Sequence, residues 1–332
     1  MERNYREYLF RLSLIQLNHY LYLSIIIILN FLFIYRLNYL ANLFGLIDYP
    51  QNKIHTSATP MFGAFMFLSI LLLALLKNIS FLSIKDYSIL IYVFSFYIIG
   101  LLDDKYNLSI IKRFYFALLV TLIFFLINKD SYFVSENFSA NTNLILLVFI
   151  SLGFLHLINM TDGINGLVIS IYLYTCIYFL LKGFYYYEIF SRDLLVLSFV
   201  CSLIYILPNF FGKCFLGNTG SYCVAITISI FYMELYKNSH LEYSDIILIF
   251  IIPFFDGIRV TFTRIINKTN PFKGDYLHIH HKIRDNLKHK TIYFFIIFIP
   301  PSINFYNNDY SIVIGMLSLF MYFSFFIFIE NN

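Results

Sequence analysis

Tryptophan is missing altogether from the 332 residues, cysteine occurs four times, and charged residues make up only 13% of the chain. Each shortage excludes something. A soluble domain carries about 25% charged residues, so most of this chain has no water-solvated surface. Cys176, Cys201, Cys214 and Cys223 show no paired spacing, and three of the four sit in apolar runs. Neither a disulfide framework nor a zinc site of CxxC type fits that pattern. Without Trp, anchoring at a membrane–water interface falls to Tyr, of which there are 29. The net charge of +4 is modest, and its placement says more than its size; it is no nucleic-acid footprint.

What is present is apolar: 60% hydrophobic and 21% aromatic residues, with a mean hydropathy of +0.74. The fold class is therefore an all-α polytopic membrane protein, because lipid leaves unpaired backbone groups unsatisfied in any open structure. Runs near the ~20 residues that cross hydrocarbon lie at Tyr20–Leu40, Met61–Lys77, Asp86–Leu102, Ile110–Asn128, Asn143–Met160 and Ile164–Lys182. They continue at Phe190–Leu207, Ser221–Leu235, Ser244–Thr263, Thr291–Phe305 and Tyr310–Ile329. Pro300 and Pro301 are expected to break the tenth. The first, behind Arg3, Arg6 and Arg11, runs too long for a signal peptide and lacks a small-residue cleavage site, so it reads as a retained helix. No repeat or linker divides residues 1–332, which read as one integral membrane domain of about 10–11 helices.

Parity then sorts the connections. One side receives the loops Asp48–Pro60, Asp103–Ser109, Thr161–Gly163, Asn209–Gly220 and Arg264–Lys290; the other receives bland connections such as Lys129–Thr142 and Lys237–Tyr243. The Arg264–Lys290 loop alone carries seven Lys or Arg, which points its side to the cytoplasm. The N-terminal arginines pull the other way.

The polar loops share a chemistry. Asp103 and Asp104 end a helix in LLDDKYN, where they repel each other and face the negative end of the helix dipole. A divalent cation would relieve both; a solvated helix end is the plainer reading. Lys112 and Arg113 enter the next span within reach of the same place. His156, Asn159 and Asp162 are spaced by three in HLINMTDGING, near one helical face, and Gly163 and Gly166 permit close approach by a ligand. In KCFLGNTGS, following Lys213, backbone N–H groups around Asn218 and Thr219 can cradle an anion, or simply start a helix. Lys53 and His55 lie in a loop between two prolines that suits an anionic head group or plain solvent. The densest stretch is PFFDGIRVTFTRIINKTNPFKGDYLHIHH, with Asp256, Arg259 and Arg264 on one helix, then Asp275, His278, His280 and His281. Zinc is one reading of that cluster, but the HxxxH spacing of a helical zinc site is absent. Phosphate binding by guanidinium and imidazole donors is the stronger one.

Taken in order, LLDDKYNLS, NMTDGINGL, NFFGKCFLGNTGSY and PFFDGIRVTFTRIINKTNPFKGDYLHIHH resemble the motifs of the polyprenyl-phosphate N-acetylhexosamine-1-phosphate transferase family, glycosyltransferase family 4. The histidine-rich ending resembles the branch serving O-antigen, teichoic-acid and lipopolysaccharide-type surface glycans rather than the peptidoglycan pentapeptide translocase. The resemblance implies transfer of a sugar-1-phosphate from a UDP-sugar to polyprenyl phosphate, usually undecaprenyl phosphate, with release of UMP. It implies a bacterial inner-membrane enzyme with its active site toward the cytoplasm, dependent on Mg²⁺ with Mn²⁺ as an alternative, and compatible with a homodimer. By the same resemblance Asp103, Asp104, Asp256 and His280 are catalytic, and Asp103, Asp104 and Asn218 hold the metal. Lys53, Asn159, Asp162, Gly163, Asn165, Lys213, Arg259, His278 and His281 bind substrate.

The chain also departs from the family pattern. Asn218 stands where Asp is usual, Asn165 replaces the second Asp of DGxDG, His156 replaces Asn, and Ala117 replaces Gln. Asn ligates through its carbonyl but lacks the charge a hard cation favours. The alternative reading is thus a catalytically impaired member that binds lipid carrier or nucleotide without turnover. A transporter would place polar groups at mid-membrane, whereas these gather at one face. Cysteine labelling of the five polar loops checks that placement: all should react from the same side of the membrane, and labelling from opposite sides would dismantle the shared site.

Overall fold

The computed structural model describes residues 21–50, 57–78, 82–129, 131–132, 138–237, 241–269, 277–283, 286–306 and 308–331. Each of the eleven apolar runs forms a helix there. They are α1 (Leu21–Tyr35), then α2 (Leu37–Phe44), α3 (Gly63–Asn78), α4 (Ile84–Tyr106), α5 (Ile110–Ile127), α6 (Ala140–Thr161) and α7 (Leu167–Gly183). The chain continues through α8 (Ile189–Phe210), α9 (Gly217–Lys237), α10 (Tyr243–Ile266), α11 (Ile279–Ile283), α12 (Leu287–Tyr306) and α13 (Ser311–Glu330). Six of the described helices, α4, α5, α6, α8, α10 and α13, are long and apolar enough to cross a membrane; α1 and α2 pass that test together but bend by 76° between them. The protein is a multi-pass, all-α membrane protein, with one short antiparallel pair, β1 (Ile47–Asp48) and β2 (Thr59–Pro60), as its sheet among the described residues.

Local chemistry sets the helix ends. Ser83 and Asp86 form a capping box at the start of α4, and Asn107 closes that helix in the left-handed region at φ 48°. Ser139 accepts from the Thr142 N–H to open α6. The expected break at Pro300 and Pro301 does not occur: α12 runs through both prolines. Membrane helices tolerate such residues when neighbouring helices compensate, and here both prolines are buried in a helix that packs on α10 and α13.

The centre of the bundle is α9, which is buried from Thr219 to Leu235 without interruption. It packs against α3, α4, α6 and α7. Its polar residues are absorbed internally; Thr227, for example, donates to the Cys223 and Val224 carbonyls. By contrast, α5 and α13 expose large side chains such as Ile111, Tyr115, Ile123, Ile312 and Phe320, as lipid-facing outer helices do.

Glycines let α9 sit so close to its neighbours. A Cβ on Gly100 of α4 would lie 2.4 Å from the Thr219 Cα, and one on Gly63 of α3 would lie 2.2 Å from the Leu216 carbonyl oxygen. Small residues at helix crossings are the usual device for such approach in membranes. The Pro60–Gly63 segment also pairs with the chain entering α9: Phe215 N–H donates to Pro60, Phe62 N–H to Phe215, and Gly63 N–H to Leu216.

The end opposite the polar loops is less bland than its connections suggest. Lys85 pairs with Glu188 at 2.8 Å and with buried Glu234 at 3.3 Å. Lys77 pairs with Asp193, and Asp245 accepts from Tyr178 and Asn304. Apart from Glu188, which caps α8, these charges lie near the ends of helices rather than in loops, with partners more than 50 residues away, so loop chemistry did not expose them. Gly100→Ala should force the start of α9 outward, and overpacking of this kind costs about 1–3 kcal/mol. A lowered thermal unfolding midpoint of the purified protein checks this.

Candidate active site

All the polar loops that the structure describes meet at one end of the bundle, around the first turn of α9. Asp103 and Asp104 are adjacent on α4, so their side chains diverge by roughly 100°, and they find different partners. Asp104 reaches the N-terminus of α9. It accepts from the Asn218 N–H at 2.7 Å, the Thr219 N–H at 2.9 Å and the Thr219 hydroxyl at 2.6 Å. Thus a carboxylate misplaced against its own helix dipole is well placed against another's. Asp103, buried, accepts from the Leu108 N–H at 2.9 Å, the Tyr222 hydroxyl at 2.9 Å and the Arg113 guanidinium at 3.1 Å. The repulsion expected between the two carboxylates is met by protein donors.

From α6 come Asn159 and Asp162. The Asn159 amide lies 3.5 Å from Asn218 Oδ1, which brings the two asparagines together. Asp162 follows the last turn, with no protein donor to its carboxylate among the described residues. One side of it is open to solvent, while surrounding protein, and then the Asp104 charge, push its pKa up to about 7. His156 turns elsewhere and stacks on Phe114 of α5, with ring centroids 6.2 Å apart, so the spacing of three does not hold His156, Asn159 and Asp162 to one task. Gly163 and Asn165 belong to the neighbouring turn. Asn165 lies against Gly212, and Asn209 clamps both loops by accepting from the Gly166 N–H and donating to the Cys214 carbonyl. Lys213 is exposed on that second loop.

A second cluster centres on Asp256 of α10. Its Oδ1 accepts from Arg259 at 2.8 Å and from the Tyr322 hydroxyl at 2.7 Å, while Oδ2 lies 2.8 Å from His278 Nδ1. Arg259 also donates to the Leu277 carbonyl at 2.8 Å and lies over the Phe326 ring at 4.2 Å. The two clusters adjoin, because Gly257, next to Asp256, faces Met160, next to Asn159. Among the described residues no three His, Cys, Asp or Glu side chains are grouped to hold a metal, and His278 is committed to Asp256 rather than to a zinc-like set. Lys53, His55 and Asp275 lie outside the described residues, as do the side chains of His280 and His281, whose backbone forms part of α11. Tyr222 and Tyr322 went unsuspected as site residues in a chain rich in tyrosine. Thr219 had its signal, in the NTG turn.

The fold and site therefore define a membrane-embedded helical bundle with anionic and basic groups gathered at one end. Residues 87–236 match the model of glycosyl transferase family 4. A similar protein is the "Probable undecaprenyl-phosphate N-acetylglucosaminyl 1-phosphate transferase" of Bacillus subtilis (strain 168), 29% identical over 72% of this chain and 70% of its own. The Thermotoga maritima undecaprenyl-phosphate alpha-N-acetylglucosaminyl 1-phosphate transferase is 26% identical over 76% and 78%. The phospho-N-acetylmuramoyl-pentapeptide-transferase of Prochlorococcus marinus (strain MIT 9301) is 29% identical over 66% and 69%. By that match and these relatives, the chain is similar to glycosyl transferase family 4.

If Asp104 caps α9, Asp104→Ala should lower stability by about 1–2 kcal/mol, the usual cost of a lost cap. Asp104→Asn, which keeps an acceptor, should lose less than half of that. Thermal unfolding of the two variants side by side checks the order.

Proposed function

We propose that the protein transfers a sugar-1-phosphate, an N-acetylhexosamine-1-phosphate, from a UDP-sugar to undecaprenyl or another polyprenyl phosphate. An oxygen of the lipid phosphate attacks the sugar-bearing phosphorus, its bond to the UMP phosphate breaks, and UMP leaves. The observation that carries this reading is the meeting of Asp104, Asp162 and Asn218 with the Asp256–Arg259–His278 cluster at one end of a lipid-embedded bundle. Attack by one phosphate on another needs charge neutralised and reactants held in line more than it needs covalent help. The Arg259 guanidinium and the His278 ring, both oriented by Asp256, suit the diphosphate and sugar, with Lys53, Lys213, His280 and His281 as supporting groups.

The oxygen donors fit Mg²⁺, or Mn²⁺, better than zinc, since Mg²⁺ uses one or two carboxylates together with phosphate oxygens and water. Asp104, Asp162 and the Asn218 carbonyl oxygen would hold it, Asp104 through lone pairs beyond those that cap α9; Asp103 is turned toward Arg113 and Tyr222 and positions them. When bound, the cation would neutralise charge on the diphosphate and stabilise the leaving phosphate.

We place the site at the cytoplasmic face of a bacterial inner membrane, from the Lys and Arg of the 264–290 loop. Surface-glycan initiation, of the O-antigen or lipopolysaccharide kind, is favoured over the pentapeptide reaction by the HIHH ending; the relatives include N-acetylglucosaminyl and pentapeptide transferases by name. A second reading, binding of carrier or nucleotide without turnover, draws on Asn218 and Asn165, which lack the charge of Asp.

Purified protein with Mg²⁺, undecaprenyl phosphate and a panel of UDP-N-acetylhexosamines should release UMP. Turnover by the native chain excludes the second reading; silence of both the native chain and Asn218→Asp across the panel overturns the first. Asn218→Asp should also lower the Mg²⁺ concentration giving half-maximal rate, since a carboxylate restores a full charge to the site.

A further inference from the structure

The cluster around Asp256 is not completed by α10 and α11 alone. Its remaining wall is α13, which lies beyond the 87–236 segment matched to the family. Tyr322, Phe326 and Glu330 recur every four residues on α13 and so form one stripe along it. Each touches the polar arm of the site. Tyr322 is fully buried; its hydroxyl donates to Asp256 Oδ1 at 2.7 Å and accepts from Arg259 Nε at 3.1 Å. The Phe326 ring lies under the Arg259 guanidinium at 4.2 Å and the Lys282 ammonium at 5.5 Å. Glu330 pairs with Lys282 of α11. The outward side of α13, with Met316 and Phe320 exposed, carries the apolar residues expected against lipid.

The helix on which this stripe acts needs outside support. With five residues, α11 is far below the roughly 12–15 at which a helix becomes even marginally stable alone. It nevertheless begins one residue after His278 and contains His280 and His281. Its conformation must come from tertiary contacts, which among the described residues include α12, α13 and the Asp256 carboxylate of α10. The stripe grips both sides of the arm at once: Asp256 and Arg259 through Tyr322 and Phe326, and α11 through Phe326 and Glu330.

We infer that Tyr322, Phe326 and Glu330 are positioning residues, which hold the histidine-bearing helix in register with Arg259 and Asp256. An outer membrane helix thereby sets the geometry of a site whose ligands come from elsewhere. For its kinetic consequences the inference rests on the transferase reading; the register of α11 does not depend on it.

The test compares Tyr322→Phe, Phe326→Leu and a control, Phe320→Leu, on the exposed face of α13, in full-length protein in lipid nanodiscs. Hydrogen–deuterium exchange reads the register directly. Amides of residues 277–283 should exchange faster in Tyr322→Phe and Phe326→Leu, with the α9 core and the Phe320→Leu control unchanged. UMP release from UDP-N-acetylglucosamine reads the consequence: Tyr322→Phe should lower kcat about tenfold, the equivalent of one hydrogen bond to a charged group. KM for the donor should stay within about twofold, since the loss falls on alignment and not on uniform binding. Lys282→Glu and Glu330→Lys should each speed exchange in 277–283, and the double reversal should restore protection, which a general packing defect would not do. If Tyr322→Phe lowers the yield of folded protein, Phe326→Leu and the charge reversal carry the same test. Native turnover with unchanged kcat in Tyr322→Phe and Phe326→Leu overturns the inference. Silence of the native chain and Asn218→Asp across the panel of UDP-N-acetylhexosamines counts against the transferase reading alone; native-like protection of 277–283 in both variants then still overturns the positioning role.

Discussion

The contact on which most of the structure depends is the one between the Asp104 carboxylate and the first turn of α9. It joins the end of one central helix to the start of another and anchors the NTG turn that presents Asn218. The N-terminus of a buried helix leaves N–H groups that water cannot reach, and each carries the positive end of the backbone dipole. A carboxylate there satisfies both needs. Its cost, the unfavourable end of its own helix, is shared with Asp103, which Arg113 and Tyr222 compensate. One acidic pair thus closes the bundle and furnishes the anionic half of the site.

Close helix packing makes that contact available. Gly63, Gly100 and Gly220 remove the side chains that would hold α3, α4 and α9 apart, so that α9 runs down the middle with no lipid-facing side. It can then carry Ser, Thr, Tyr and Glu residues in a bundle whose outer helices are almost wholly apolar. Ion pairs at the far end, among Lys85, Glu188 and Glu234, tie the other ends of α4, α8 and α9. The bundle is polar-stapled at both ends, but among the described residues one end alone combines several carboxylates with both guanidinium and imidazole groups suited to a phosphate.

Much of this was legible beforehand. The eleven helices follow from runs of apolar residues, because a segment that must satisfy its backbone in lipid has few alternatives. The grouping of DDKYN, NMTDG, GNTGS and DGIR with the first histidine follows from span parity, which needs only the number of crossings. What parity could not say is who touches whom. Asp103 and Asp104 read as two like ligands, yet they point to different helices. His156 read as a companion of Asn159 and Asp162 but stacks on Phe114. Pro300 and Pro301 read as a break, yet α12 passes through them because its neighbours bury the kink-prone segment. Tyr322 gave no signal at all, since a tyrosine in a chain with 29 of them is unremarked until its hydroxyl is seen between Asp256 and Arg259.

The sequence by itself therefore determined the class, the number of long helices and the side on which the chemistry gathers, because hydropathy and chain parity are properties of the string. Its four ordered motifs also pointed to the family whose model matches residues 87–236. Only the tertiary structure decided which helix is the central post, which carboxylate caps it and which remains open, and that the last helix buttresses the histidine arm. Those are matters of distance between residues 50 to 120 apart in the chain, as from Asp104 to Thr219 and from Asp256 to Tyr322. Pairings over such separations are selected by the packing of whole helices, a choice that local propensity and spacing do not encode.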